Sequence, residues 1–264
     1  MARTFNGSSA NWVGAIGGCN LTPPWTILGI CSHLADGRYD TLLSINTADS
    51  AGNARITLGI DGSSDQLELD VDGNSNYSTI TLKTAEGYAL IGVSKATGVV
   101  APRFHKYVYG TNVWSHVASG STIGNNTAPG ASGVVLFGKI YASAQFFGGD
   151  ILLGALFNRV LTDAEMESLP FSFATLQASA PVGLWLWDQS LTSQKVLDWT
   201  GNGANETTLT GTTIASVSVP VFGYGHSVLY PTREAAAAAG GQPTMRRWGG
   251  VPHLGGARPR GRSW

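Results

Sequence analysis

The chain has 264 residues, of which 43% are hydrophobic, 12% are charged and 35 are glycine, and its formal net charge is −1. That length buries a sizeable core, and the apolar share with its eight tryptophans excludes a disordered chain. Charged residues at about half the usual ~25% exclude a helical bundle, whose solvent faces draw on Glu, Lys and Arg.

The start, Met1-Ala2-Arg3-Thr4-Phe5, lacks the apolar run of a signal peptide. No stretch approaches the ~18 apolar residues of a membrane span, so the chain is expected to be made soluble in a cytoplasm. Two cysteines, Cys19 and Cys31, are too few for a disulfide scaffold. A bridge between them would close a short loop; buried free thiols are the simpler reading. Histidines stand singly at 33, 105, 116, 226 and 253, and with the two cysteines they are too scattered for a zinc site.

From Trp25 to Val100 the text reads as short strands between turn signals, the pattern of an all-β sandwich or barrel. Trp25 to Ile30 and Thr41 to Ile45 are apolar runs, and Arg55 to Ile60 alternates up to Asp61-Gly62, a favoured hairpin turn pair. Gln66 to Asp72 alternates throughout, with Leu67, Leu69 and Val71 facing inward, and stops at Gly73. Tyr88 to Val93 is apolar throughout, as befits a strand covered on both faces. The one convincing helix is Leu161 to Leu169, where Thr162 with Glu165 three residues on forms a capping box and Pro170 ends the run.

Charge is unevenly spread. Residues 1–232 carry 10 Lys and Arg against 16 Asp and Glu, a net of −6; residues 233–264 carry six Arg against Glu234, a net of +5. After Pro231 the chain turns Gly-, Ala- and Arg-rich, and 255–264 has too few apolar groups to fold alone. The expected division is therefore a sandwich over 1–230 and a linker with an extended basic arm over 231–264, an appendage with its own partner.

Three segments resemble the laminin-G-like, concanavalin-A-like lectin and glucanase family. Phe5-Asn6-Gly7-Ser8-Ser9 resembles its early strand. Phe147 to Ile151, running through Leu156-Phe157-Asn158-Arg159-Val160-Leu161-Thr162-Asp163-Ala164-Glu165, resembles its strand-then-helix signature. Gly183 to Asp188 with Asp198 to Asn205 resembles a segment that comes first in the family and last here, either as a permuted order or as the start of a second, incomplete unit. The fold implied is all-β, a jelly-roll sandwich of two antiparallel sheets with one short helix. The stretch from Trp185 to Trp264, with Arg246-Arg247-Trp248-Gly249-Gly250-Val251-Pro252 and Gly261-Arg262-Ser263-Trp264, is similar to structural proteins of tailed bacteriophages. That resemblance implies a virion location, with other virion proteins and copies of the same chain as partners.

Candidate chemistry falls in three places. Glu68, Asp70 and Asp72 share one strand face, and the glucanase branch of the resembling family carries a similar carboxylate strand as nucleophile and acid. Asp70, Asp72, Asn74 and Asn76 also supply hard oxygens at alternate positions, as calcium requires. A solvated strand face accounts for both patterns, so no catalytic residue, cofactor or metal is assigned. Arg103, His105, Tyr107 and Tyr109, with Trp114 and His116, form the most distinctive polar-aromatic stretch. Flat rings beside hydrogen-bonding groups suit host-surface glycan, and a cross-strand aromatic ladder is the competing reading. In the arm, Arg246, Arg247, Trp248, Arg258, Arg260, Arg262 and Trp264 are residue types enriched at interface hot spots, and a net of +5 is weak for nucleic acid. The function expected is a non-enzymatic minor tail protein contacting host glycan. A head-decoration protein without sugar binding is the alternative, and a glycan hydrolase a distant third.

Overall fold

β-branched and aromatic runs pair into fifteen strands in the computed structural model, which describes residues 3–7, 12–16, 21, 23–46, 56–124, 134–139, 146–187, 198–200, 206–210 and 213–214. The strands are β1 (Arg3–Asn6), β2 (Trp12–Ile16), β3 (Trp25–His33), β4 (Asp40–Asn46), β5 (Ile56–Ile60), β6 (Gln66–Val71), β7 (Asn74–Thr81) and β8 (Tyr88–Lys95). They continue as β9 (Arg103–Val108), β10 (Val113–Ala118), β11 (Val134–Phe137), β12 (Gly148–Phe157), β13 (Gly183–Leu186), β14 (Glu206–Thr210) and β15 (Thr213–Ile214). The first sheet runs β10-β9-β8-β3-β12-β1-β15, with β13 also paired to β12; the second runs β14-β2-β11-β4-β5-β6-β7. Each pairing is antiparallel, so the molecule is the expected jelly-roll sandwich of two sheets.

Alternation along the strands fills the space between the sheets. Ile27, Ile91, Val93 and Phe104 of the first sheet meet Leu43, Ile45, Leu58, Leu67, Leu69 and Val71 of the second in one buried cluster. The inward set read from Gln66–Val71 is therefore the set observed. β8 is buried from Ala89 to Lys95, as a central strand covered on both faces must be. Its outer cover is a second cluster, in which Leu28, Ile30, Leu90, Tyr107 and Leu152 pack under Met166, Leu169 and Leu176 of the helical segment.

Two hairpins differ in how closely they follow the sequence reading. Asp72 and Gly73 both have positive φ, at 54° and 82°, and join Val71 directly to its partner Asn74, a two-residue turn. The strand ends at Val71, so Asp72 is a turn residue and does not share the face of Glu68 and Asp70. The Asp61-Gly62 turn is longer than a two-residue hairpin: Asp61 N donates to Gln66 O and Asp65 N to Asp61 O, while the Ser63 and Ser64 hydroxyls donate to the Asp61 carboxylate. Gly62 is required there by a close approach, since a Cβ would lie 2.5 Å from Tyr39 N.

Helix α1 spans Asp163–Ser168 with the full capping box: Thr162 Oγ1 accepts from Glu165 N, and the Glu165 carboxylate accepts from Thr162 N. The single helix expected is joined by a second. Pro170 sits in a 3-10 turn (Leu169–Phe171), and α2 (Phe173–Ala178) then starts on Ser172, whose side chain accepts from Thr175 N. The segment placed out of family order joins the same two sheets. Its strand β13 pairs with β12, and the strands that follow it, β14 and β15, pair with β2 and β1, so among the described residues it belongs to the one sandwich. Asp198 fastens it by accepting from Leu184 N at 3.1 Å. Cys31 is a free, buried thiol. Cys19 and the arm residues Arg246, Arg247, Trp248, Arg258, Arg260, Arg262 and Trp264 lie outside the described residues.

Candidate functional site

β9 and β10 form a hairpin whose register places Val108 opposite Val113, Tyr107 opposite Trp114, and His105 opposite His116. Alternation sends Phe104 into the inter-sheet core and Lys106 to Thr81 O and Glu86 Oε1, both at 2.6 Å. His105, Tyr107 and Tyr109 take the outer face, beside Trp114 and His116 of the neighbouring strand. Their rings form one continuous ladder. Tyr109 meets Tyr107 edge-on at 5.1 Å, Tyr107 meets Trp114 at 5.1 Å, Trp114 stacks on His116 at 5.0 Å, and His116 meets His105 at 5.1 Å.

This arrangement is the cross-strand ladder, and its exposure is uneven. His105 is 0% and Tyr107 1% exposed, so neither offers a ring face to a ligand; Tyr109, Trp114 and His116 are half-buried and Arg103 is exposed. The Tyr107 hydroxyl donates to Asn112 Oδ1 at 2.6 Å, and the Tyr109 hydroxyl to Pro170 O at 3.3 Å. Burial raises the pKa of both tyrosines. Of the six residues read as a glycan face, Arg103, Tyr109, Trp114 and His116 form its accessible rim.

Helix α1 brings two carboxylates to that rim, and neither was singled out as a site residue in the sequence. Asp163 and Glu167 are four residues apart on one helical face. The Arg103 guanidinium grips Asp163 with Nε on Oδ1 at 2.7 Å and a terminal nitrogen on Oδ2. This pairing, more than any other cause, holds the Asp163 carboxyl below its usual range. His116 Nε2 lies 3.3 Å from Glu167 Oε1. His105 Nε2 lies 3.1 Å from Ser94 Oγ, inside the sheet. Between the rings, the two Nδ1 atoms are 2.8 Å apart, and Asp163 Oδ1 is 3.8 Å from that of His105 and 3.7 Å from that of His116. Burial first, and then the neighbouring His116, pushes His105 down to about 4.

Histidines that look scattered in the sequence are thus adjacent in space. The signal was the hairpin: Gly110-Thr111-Asn112 marks its turn, with Asn112 at φ 57°, and His105 and His116 are each three residues from the paired ends Val108 and Val113. A second group is His33, Asp36 and Asp65, whose two carboxylates already accept from other donors. The Lys83 ammonium sits on Asp65, Thr84 donates through N and Oγ1 to Asp36, and His33 Nε2 lies 2.6 Å from Asp40 Oδ2.

The carboxylate row on the second sheet is dispersed. Asp70 Oδ1 accepts from Gly73 N at 2.8 Å and braces the turn, Asp72 lies within that turn, and Glu68 is half-buried on β6. No helix among the described residues is long and apolar enough to cross a membrane.

No protein-family model and no curated protein sequence matches the chain. Solved structures similar to it include a heptameric SAP-like pentraxin from Limulus polyphemus, at 13% identity over 64% of this chain and 80% of that one, TM-score 0.44. The LG1–3 region of the laminin alpha2 chain matches at 13% identity over 61% of this chain and 32% of that one, TM-score 0.45. The CBM40 domain of Ruminococcus gnavus IT-sialidase bound to α2,3-sialyllactose matches at 11% identity over 64% of this chain and 95% of that one, TM-score 0.44.

Proposed function

We propose that the chain is a non-enzymatic structural protein of a tailed-phage virion: a minor tail protein whose lectin-like sandwich contacts host-surface glycan and whose basic arm docks it onto other virion proteins and copies of itself. The observation that carries this reading is the charge division, net −6 over residues 1–232 against net +5 over the Gly- and Arg-rich 233–264. A weakly charged sandwich with a separate basic, tryptophan-bearing segment has the make-up of a module held in an assembly by an extended arm. Sugar contact would fall on Arg103, Trp114 and His116, a cation and two half-buried rings backed by the rest of the ladder. The hydrolase reading is disfavoured in that Asp70 accepts from Gly73 N and Asp72 lies in the turn, off the strand face that holds Glu68.

A glycan array probed with the full chain tests the adhesive part: specific binding that Trp114→Ala abolishes supports it, and no binding to any glycan overturns it. Deleting 241–264 tests the arm: the truncated chain is expected to stay out of particles, and its normal incorporation overturns the docking role. The second reading, a head-decoration protein without sugar binding, is favoured by the burial of His105 and Tyr107, which makes two of the five ladder rings internal packing.

A further inference from the structure

Proton bookkeeping around the paired histidines leaves a gap that needs a cation. The Thr26 hydroxyl donates to Arg159 O at 2.9 Å, so its proton is spent there. Ser94 Oγ, 3.0 Å from Thr26 Oγ1, is then the donor of that pair and has only lone pairs left for His105. His105 Nε2, 3.1 Å away, must therefore carry the ring's N–H and donate it to Ser94. His116 Nε2 faces Glu167, a carboxylate that only accepts, so it too carries the N–H. A neutral imidazole has one N–H, so both Nδ1 atoms are bare. They point lone pairs at each other across 2.8 Å, with Asp163 Oδ1 3.7–3.8 Å from each.

The geometry points to a divalent transition-metal site of the zinc class, ligated by His105 Nδ1, His116 Nδ1 and an oxygen of Asp163. Three separations of 2.8, 3.7 and 3.8 Å bracket the edge of about 3.3 Å expected between ligands of a tetrahedral ion with bonds of ~2.0–2.1 Å. Two imidazole nitrogens among three donors suit zinc and its first-row neighbours and disfavour calcium or magnesium. The supporting contacts are those a metal site uses: Ser94 and Glu167 fix the ring tautomers and orientations, and Arg103 anchors the ligating carboxylate. His105 is buried, whereas the side chains of His116 and Asp163 are 12% and 38% exposed, so ions enter from the solvent side. That side also leaves a fourth position to water or an incoming donor. The ion would join the β9–β10 hairpin to α1, elements otherwise linked at this corner by Arg103 and Glu167.

The test uses the full chain, stripped with chelator and titrated with Zn²⁺, and with Co²⁺ for spectroscopy. One saturable equivalent, visible d–d bands of four-coordinate Co²⁺ and a Zn²⁺-dependent rise in Tm are expected. His116→Ala and Asp163→Asn should each weaken binding beyond the about 10–100-fold that follows loss of a supporting partner, and Glu167→Gln should fall within it. Asp36→Asn, in the other cluster, should bind as wild type does. Absence of a saturable site overturns the assignment, as does a site that Asp163→Asn leaves at wild-type affinity. If ¹⁵N spectra show one proton shared by the two rings and unmoved by excess Zn²⁺, the gap holds a proton and the proposal is overturned. Asp163 is partly exposed, so its variant decides the matter even if His116→Ala does not fold.

Discussion

Gly154 of β12 and Phe137 of β11 meet across the interior of the sandwich: a Cβ at Gly154 would lie 2.8 Å from Phe137 Cζ and nearer still to Cε1. The ring cannot retreat, because Trp185 packs against it edge-on at 5.3 Å and Trp187 at 4.5 Å. Gly154→Ala is therefore an overpacking substitution and should cost about 1–3 kcal/mol, read as a lower midpoint in urea at unchanged slope. A midpoint equal to wild type would mean that the two sheets separate easily.

Thr162 caps α1 through Glu165 N, and Thr162→Ala should cost about 1 kcal/mol, with Thr162→Ser recovering most of it. Because α1 carries Asp163 and Glu167, the alanine variant should also loosen Zn²⁺ binding. Isothermal titration of both variants checks this, and equal affinities would mean that the helix start is held by its packing alone.

Burial raises the Glu68 carboxyl above its ordinary 4.5, against smaller opposing hydrogen bonds from Ser75 and Tyr77. The folded chain thus holds this proton to higher pH than the unfolded chain, so stability falls as pH rises through the window above 4.5. Glu68→Gln, which cannot ionise, should gain on wild type between pH 4 and pH 7 and lose that advantage below pH 4. Denaturant titrations of both proteins across the range measure it; a pH-independent difference would contradict the shift.

The Cys31 thiol is fully buried, and burial, with Asp40 and Asp150 adding to it, raises its pKa far above the ordinary value. Since the thiolate is the reactive form, Cys31 should resist iodoacetamide at pH 8 in the native state and react on unfolding, as peptide mass spectrometry would show. Fast native labelling would indicate local opening of β3.

Much of this fold was legible because alternation and turn chemistry act over a few residues. The set Leu67, Leu69, Val71, the strand stop at Gly73 and the Thr162–Glu165 capping box needed no distant partner to be read, whereas Asp72 continues the alternation in sequence and sits in the turn in space. Strand β7, Asn74–Thr81, was missed because its buried positions include Asn76 and Ser78, which leaves no apolar alternation and gives an outer strand the composition of a loop. Helix α2 was missed because it is six residues long, follows a proline and is announced only by Ser172. The site was half legible. Face sharing by His105, Tyr107 and Tyr109 follows from period two, and opposition to His116 from the hairpin tip. The arrival of Asp163 over the rings depends on how α1 folds back onto the first sheet, a tertiary fact with no local signature.

Residues Arg3 and Thr4 pair with Ile214 and Thr213, so the first sheet joins the two extremes of the described chain. On a ribosome β1 emerges some two hundred residues ahead of β15, one of its partner strands. Closing so wide a loop is entropically slow, and until then the flank of β1 stays unpaired, an invitation to sticky encounters with other nascent chains. Completion of this sheet should therefore wait on the synthesis of β15, with dependence on chaperones greatest just before that strand appears.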